Sequence, residues 1–431
     1  MKKYTSQHIL SQCSVLFAFI VIFQSCYPWF LWGDILVGNI SIMLFLVCRI
    51  LLRSKISNRY RLPAFFLFLF YLWMGIYQAE QLQTPVVQLI KRILPLFFIV
   101  SMQKEEKVRL KDLTINIISL ILFISFVAYV FIIFLEFPLQ PMEIRHPINT
   151  WYPPFLNYYF FITAYGDFLR FHSIFTEPGH LGMFCALLLY INRYSMKDFR
   201  NVIMLISLIF SFSLAAYVLL VAGWFIYELI PEISFRKISK MSLVIVLFVC
   251  VGWCYLSYSP DGIIQNLIIN RLAYDEEKGV QGNNRNTYDF MQTYDKLSTS
   301  EYLVGKGSTF MNEKFANTAN SSYRNFIMAN GFIGLSLLFL FFLSVIYAFP
   351  SRLAFGMFLL FIMSFWQRPY WLLEIESWVF LCAVSIFYYN LQMTKIYSMN
   401  FIYSSNIFDQ SKVNMISVCH SVGNAFLSIE L

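Results

Sequence analysis

The chain has 431 residues, 58% of them hydrophobic and 13% charged, with a mean hydropathy of +0.61. That balance excludes an ordinary soluble domain, which cannot keep so much apolar surface in water behind so few charges. A net charge of +8 does not signal nucleic acid either, because the cations sit between apolar runs rather than in a basic patch interleaved with aromatics.

A bilayer core of about 30 Å takes roughly 20 apolar residues per helix. The chain supplies such runs repeatedly, without the alternation of a closed barrel. The expected fold is therefore an all-α polytopic membrane protein. The eight cysteines lie mostly inside apolar runs (Cys48, Cys185, Cys250, Cys254, Cys382), with no CxxC pairing to histidine. Neither a disulfide framework nor a zinc site is indicated. Lys2 and Lys3 before an apolar stretch imitate a signal peptide, but no small-x-small cleavage site follows. The stretch reads as an uncleaved first span.

Spans are expected near 9–26, 31–48, 62–78, 86–102, 113–135, 178–192, 201–213, 214–230, 241–258, 323–348, 353–366 and 372–390. The segment 201–230 reads as one tilted helix or as two short ones broken around Ser211-Phe212-Ser213. Loop charges decide between them. With Lys2 and Lys3 inside, alternate loops carry Arg49, Arg53, Lys55, Arg59 and Arg61, then Lys104, Lys107, Arg109 and Lys111, then Arg193, Lys197 and Arg200. The short loops 27–30 and 79–85 carry no Lys or Arg. Placing Arg236, Lys237 and Lys240 inside as well requires two crossings between Asn201 and Ile230. The layout that results has twelve spans, both termini cytoplasmic, a transmembrane domain over 1–390 with outer loops at 136–177 and 259–322, and a tail, 391–431, without an assigned role. No internal repeat stands out, which weakens an inverted-repeat transporter.

Loop 136–177 carries Trp151, Tyr152, Phe155, Tyr158, Tyr159, Phe160, Phe161 and Tyr165, broken by Pro147, Pro153 and Pro154. A belt lying on the lipid headgroups accounts for such a run, and aromatic faces also suit the apolar faces of sugar rings. The loop ends in Arg170-Phe-His172-Ser-Ile-Phe-Thr-Glu177-Pro-Gly-His180-Leu-Gly182, where Pro178 marks a helix start. Its arginine, two histidines and glutamate fit a capped helix end with solvated side chains. They equally fit ionisable groups held at the membrane surface for chemistry.

Loop 259–322 carries 14 of the chain's 56 charged side chains, including Arg271, Arg285 and Asp289, and the turn Gly305-Lys306-Gly307. One GxG more often marks a turn than a site. No strand–GxGxxG–helix context or GKS/T ending points to a nucleotide. Asp289, four residues after Arg285, reads most simply as its partner. Lys91 and Arg92 in the fourth span read either as a snorkelling pair or as charges facing a cavity.

Together these residues resemble the O-antigen polymerase and ligase superfamily. The resemblance rests on Arg170 ahead of Phe175-Thr-Glu177-Pro178, on Arg285 some twenty residues before Gly305-Lys306-Gly307, and on the loop exit Asn320-Ser-Ser-Tyr323-Arg324 leading to Gly331-Phe-Ile-Gly334. It covers roughly residues 60–390. Ligase-like members carry a His-Asn pair where Asn320-Ser321 stand here. That departure favours the polymerase branch over the ligase. The resemblance implies a GT-C-like fold in the bacterial inner membrane and a substrate of sugar repeats on undecaprenyl diphosphate. It also implies membrane lipid and a chain-length regulator as partners.

A leaving diphosphate needs positive charge where negative charge develops, and a guanidinium fork suits it. Arg170 and Arg285 match the superfamily's loop arginines and are the expected diphosphate ligands, with Arg271, Arg324, Lys91 and Arg92 behind them. Glu177, His180 and His172 compete for the role of orienting or deprotonating the attacking hydroxyl. No cofactor is expected: there is no DxD on an outer loop, no His/Cys ligand spacing, and the donor bond itself supplies the energy. A flippase for the same lipid-linked repeat is the rival from another class, but transporters place polar groups near the midplane rather than in two loops.

Overall fold

The computed structural model describes residues 2–32, 35–52, 58–78, 102–147, 152–167, 169–229, 286–315, 322–368 and 379–388, with two strand segments and isolated positions between them. The expected spans at 86–102 and 241–258 and the tail at 391–431 fall almost wholly outside the described residues, as do Lys91, Arg92, Arg271 and Arg285.

The described chain is mostly helical: α1 (Lys2–Gln24), α2 (Ile35–Leu52), α3 (Arg61–Gln78) and α4 (Lys104–Tyr129, ending in one π turn at Val130–Phe134) come first. Loop 136–177 then leads to α5 (Pro178–Ile191), α6 (Phe199–Phe210) and α7 (Leu214–Leu229). Among the described residues three helices are long and apolar enough to cross a membrane: Ser6–Gln24, Lys104–Phe134 and Tyr323–Ala348. The segment 201–230 is two helices, each short. At 1.5 Å per residue they rise about 18 and 24 Å, less than a bilayer core of about 30 Å.

Helix α5 is the centre of the bundle. Thirteen of its residues are buried, all but His180, and α6, α7 and α12 (Arg352–Gln367) pack around it. A helix apolar on every side is stable only when surrounded. Gly182 lets the α6–α7 corner approach: a Cβ there would lie 2.6 Å from both Ala216 Cβ and Ser211 Oγ.

The helix ends sort into two groups. At one end, Arg49 of α2 donates to both oxygens of Glu106 at 2.8 and 2.7 Å, and the pair is almost fully buried. Ser11 Oγ of α1 donates to the same carboxylate at 2.9 Å, as does Gln103 N at 2.9 Å, completing a capping box on α4. These contacts explain why α4 starts nine residues before the expected span: its polar first turns are anchored inside the bundle end. Nearby, Lys107 lies over the rings of Tyr60 and Phe349, and Asn192, Asp198 and Asn201 bond across the α5–α6 turn.

The opposite end carries the loops, which add short strands to a bundle that is otherwise helical, as the all-α expectation has it. Strands β1 (Met142–Ile144), β2 (Phe155–Asn157) and β3 (Ile162–Ala164) form an antiparallel sheet in that order. A second pair, β4 (Tyr274–Asp275) and β5 (Gly279–Val280), lies in the later loop. The aromatic run is not a headgroup belt throughout. Phe155 and Phe161 of the run are fully buried, as are Phe171 and Phe175 after it, while Tyr159, Phe160 and Tyr165 are exposed. Strand pairing satisfies a proline-broken backbone and turns alternate side chains inward. Ser125 of α4 donates to Phe160 O at 2.7 Å and Tyr129 to Leu169 O at 2.8 Å, so the loop closes the bundle end.

Removing one partner of the Arg49–Glu106 pair leaves a buried charge. Arg49→Ala is expected to lower stability by about 3–5 kcal/mol. Arg49→Met combined with Glu106→Gln, which preserves the cap, should recover much of the loss in thermal unfolding of the detergent-solubilised protein.

Candidate functional site

Glu177 is the N-cap of α5, with extended backbone (φ −128°, ψ 134°), and Pro178 follows as the first helical residue. Its side chain does not cap the helix. Instead Oε1 accepts from Tyr152 Oη at 2.6 Å and Oε2 pairs with Arg368, just past the end of α12. Glycine at 179 leaves room for that guanidinium: a Cβ there would meet Arg368 Nη2 at 3.1 Å and Ser213 Oγ at 3.5 Å. Tyr152 is held by the rings of His146 and Phe155. Burial, then the charge and hydrogen bond of Glu177, push its phenol pKa up, so it remains a proton donor.

A carboxylate, a phenol and a guanidinium thus converge at the mouth of the most buried helix. Arg368 offsets the charge of Glu177 while the pair lasts. The fork of Arg368 is also of a shape that suits an anion's oxygens.

Arg170, an expected diphosphate ligand, is engaged here by backbone carbonyls and a carboxylate. Its Nε donates to Ser211 O at 3.1 Å and Nη2 to Phe212 O at 3.4 Å, while Nη1 pairs with Asp167 at 3.3 Å. Phe171 N donates to Phe210 O at 2.9 Å. The end of α6 presents carbonyls without helical partners, and Arg170 supplies their donors. His172 is 2% exposed, with Nδ1 3.3 Å from Thr176 O. Its Nε2 and the Thr176 hydroxyl are buried with no hydrogen-bond partner among the described residues. Burial is the main cause that pulls its pKa down to about 4, against the raising effect of Asp167. His180 lies beside this cluster with its ring edge on Phe175.

The later loop contributes α8 (Tyr288–Asp295), α9 (Thr299–Val304) and α10 (Gly307–Phe315), which pack toward α11 (Tyr323–Ala348). The Gly305-Lys306-Gly307 turn has a structural task. Helix α11 breaks at Gly331 (φ 68°, ψ 176°), and the turn lies across the break. Lys306 N donates to Met328 O at 2.7 Å, and Trp73 Nε1 of α3 donates to Asn330 O at 2.9 Å. Gly305 (φ 86°) is so close that a Cβ would sit 2.6 Å from Gly331 N. Arg324, at the start of α11, lies between aromatic rings. Arg285 is outside the described residues, but its neighbour Asn286 donates to Ser322 Oγ at 2.9 Å, at the N-cap of α11.

Arg368 and Tyr152 are the residues that sequence reasoning left out. A signal for Arg368 existed: it is a lone cation ending an apolar run, at the end of the bundle away from the cation-rich loops. Tyr152 had none beyond membership of the aromatic run. Among the described residues no group of three His, Cys, Asp or Glu side chains converges as metal ligands. A cavity of 20 Å³, room for one water, touches Lys111, Leu188 and Cys382 at the opposite end and takes no part in this cluster.

Gly331→Ala drives a Cβ to 2.2 Å from Leu303 O in a left-handed backbone, and a lower melting temperature is expected, with no recovery on adding lipid. The folded pKa of His172 lies below its ordinary 6.5, so between pH 6.5 and about 4 the unfolded chain binds a proton that the folded chain does not. Stability therefore falls with falling pH in that window, by about 1.4 kcal/mol per unit. A shallower pH slope of the melting temperature in His172→Leu checks the assignment.

Compared with known proteins, the chain matches no family model, and no curated protein or solved structure is significantly similar to it.

Proposed function

We propose that the chain is a polysaccharide polymerase of the O-antigen type, working at the outer face of the bacterial inner membrane. It would transfer a growing glycan from undecaprenyl diphosphate onto the terminal sugar of a new lipid-linked repeat. The observation that carries this reading is Glu177 held between Tyr152 and Arg368 at the loop-bearing end of the bundle.

The acceptor hydroxyl oxygen attacks the anomeric carbon, the bond from that carbon to the diphosphate oxygen breaks, and the diphosphate leaves with the electron pair. Arg368 is suited to the developing negative charge, joined in this reading by Arg285 and Arg271 from the loop. As Arg368 turns to the diphosphate, Glu177 loses its cation and becomes able to take the acceptor's proton. Donor binding and base activation are then one event. Tyr152 keeps the carboxylate oriented meanwhile. His180 remains a competitor for the proton, whereas the buried, weakly basic His172 is poorly placed to exchange one with solvent. Arg170 contributes by holding the α6–α7 corner against α5. Asn320-Ser321 in place of His-Asn argues against ligation, and the gathering of polar groups at one end argues against a flippase.

In a strain lacking the protein, re-expression of Glu177→Ala or Arg368→Ala is expected to give single-repeat glycan, with Arg368→Lys partly restoring length. Arg170→Ala should instead reduce the amount of folded protein. Long chains from both Glu177→Ala and Arg368→Ala, with membrane levels unchanged, defeat the proposal.

A further inference from the structure

Arg324 is half-buried, and its guanidinium carbon lies 5.7 Å from the ring centroids of both Tyr294 and Tyr323. Among the described residues no carboxylate pairs with it; Nη1 donates to the thioether of Met291 at 3.0 Å. A thioether is a weak acceptor, readily replaced by a carboxylate oxygen. Rings beside a guanidinium take none of its N–H donors, which stay able to recognise a planar anion. Tyr323 in turn stacks on Trp366, with centroids 4.0 Å apart and planes 24° from parallel, and Trp366 is 59% exposed. Trp366 stands two residues before Arg368, so the indole and the Glu177 partner share the end of α12.

We infer that Arg324 and the Tyr323–Trp366 platform form a subsite for a sugar ring bearing a carboxylate, which makes the polymerised repeat an acidic one. This rests on the polymerase reading for its place in the reaction, though not for binding. The indole accepts the apolar C–H face of a pyranose, and the guanidinium edge takes the carboxylate in a fork. A lipid diphosphate fits less well: it spreads its charge over two phosphates and gains nothing from an exposed indole. A tryptophan merely resting among headgroups requires no guanidinium held between two tyrosines behind it.

The test uses the full chain in nanodiscs of uncharged lipid, with hyaluronan tetrasaccharide and its carboxyl-reduced counterpart as probes, read by calorimetry. The acidic probe should bind about tenfold more tightly than the reduced one, the size of one charge-assisted pair. Arg324→Gln should erase that preference while keeping the wild-type elution profile, and Trp366→Ala should weaken both probes alike. Inorganic pyrophosphate should fail to displace the acidic probe. Equal affinity for the two probes, a preference that survives Arg324→Gln, or displacement by pyrophosphate at comparable concentration overturns the subsite. The two readings fail separately. Chains shortened by Glu177→Ala without any acidic preference leave a polymerase and no subsite; the preference with chain length insensitive to Glu177 leaves a subsite and no polymerase.

Discussion

A carbonyl oxygen that loses its helical partner inside an apolar bundle must find another donor, because neither lipid nor hydrocarbon side chains provide one. Two breaks among the described residues create this need. Helix α6 stops at Phe210 while still inside the bundle, and α11 breaks at Gly331. The first is answered from loop 136–177 by Arg170 and Phe171 N, the second by Lys306 N from the later loop and Trp73 of α3. Both loops are therefore fastened to the helices by backbone that the helices themselves leave unsatisfied.

That fastening shapes the candidate site. With Arg170 occupied at the α6–α7 corner, the cation beside Glu177 comes from α12, and the donor on its other oxygen comes from Tyr152 in the loop. One carboxylate thus gathers the start of α5, the end of α12 and the sheet-bearing loop. The corner comes close enough only because Gly182 offers no side chain to Ala216 and Ser211. A change in any of these elements alters the surroundings of the same few oxygen atoms.

Much of the helical frame was legible from charge and hydropathy. Pro178 announced the start of α5, and Ser211-Phe212-Ser213 was one of the places where a break was expected, which is where α6 and α7 divide. Other features depend on contacts between residues far apart in the chain. Nothing local tells Arg170 to seek Ser211 O rather than a phosphate, or Glu177 to meet a residue 191 positions away. The sheet escaped because Phe155-Leu-Asn157 and Ile162-Thr-Ala164 are three-residue strands in a run whose prolines read as disorder of the helix, not as edges of a sheet. The Gly305–Gly307 turn was recognisable as a turn, but its partner at Gly331 lies on another element.

The pairing of Arg49 with Glu106 bears on how the protein is made. These two charges are 57 residues apart, and the hydrophobic segment carrying the arginine leaves the ribosome well before its acidic counterpart is synthesised. Until then Arg49 lacks the carboxylate that it pairs with in the folded bundle. In the folded bundle the same carboxylate also takes Ser11 of α1, so the loss of Glu106 would loosen three helices at once.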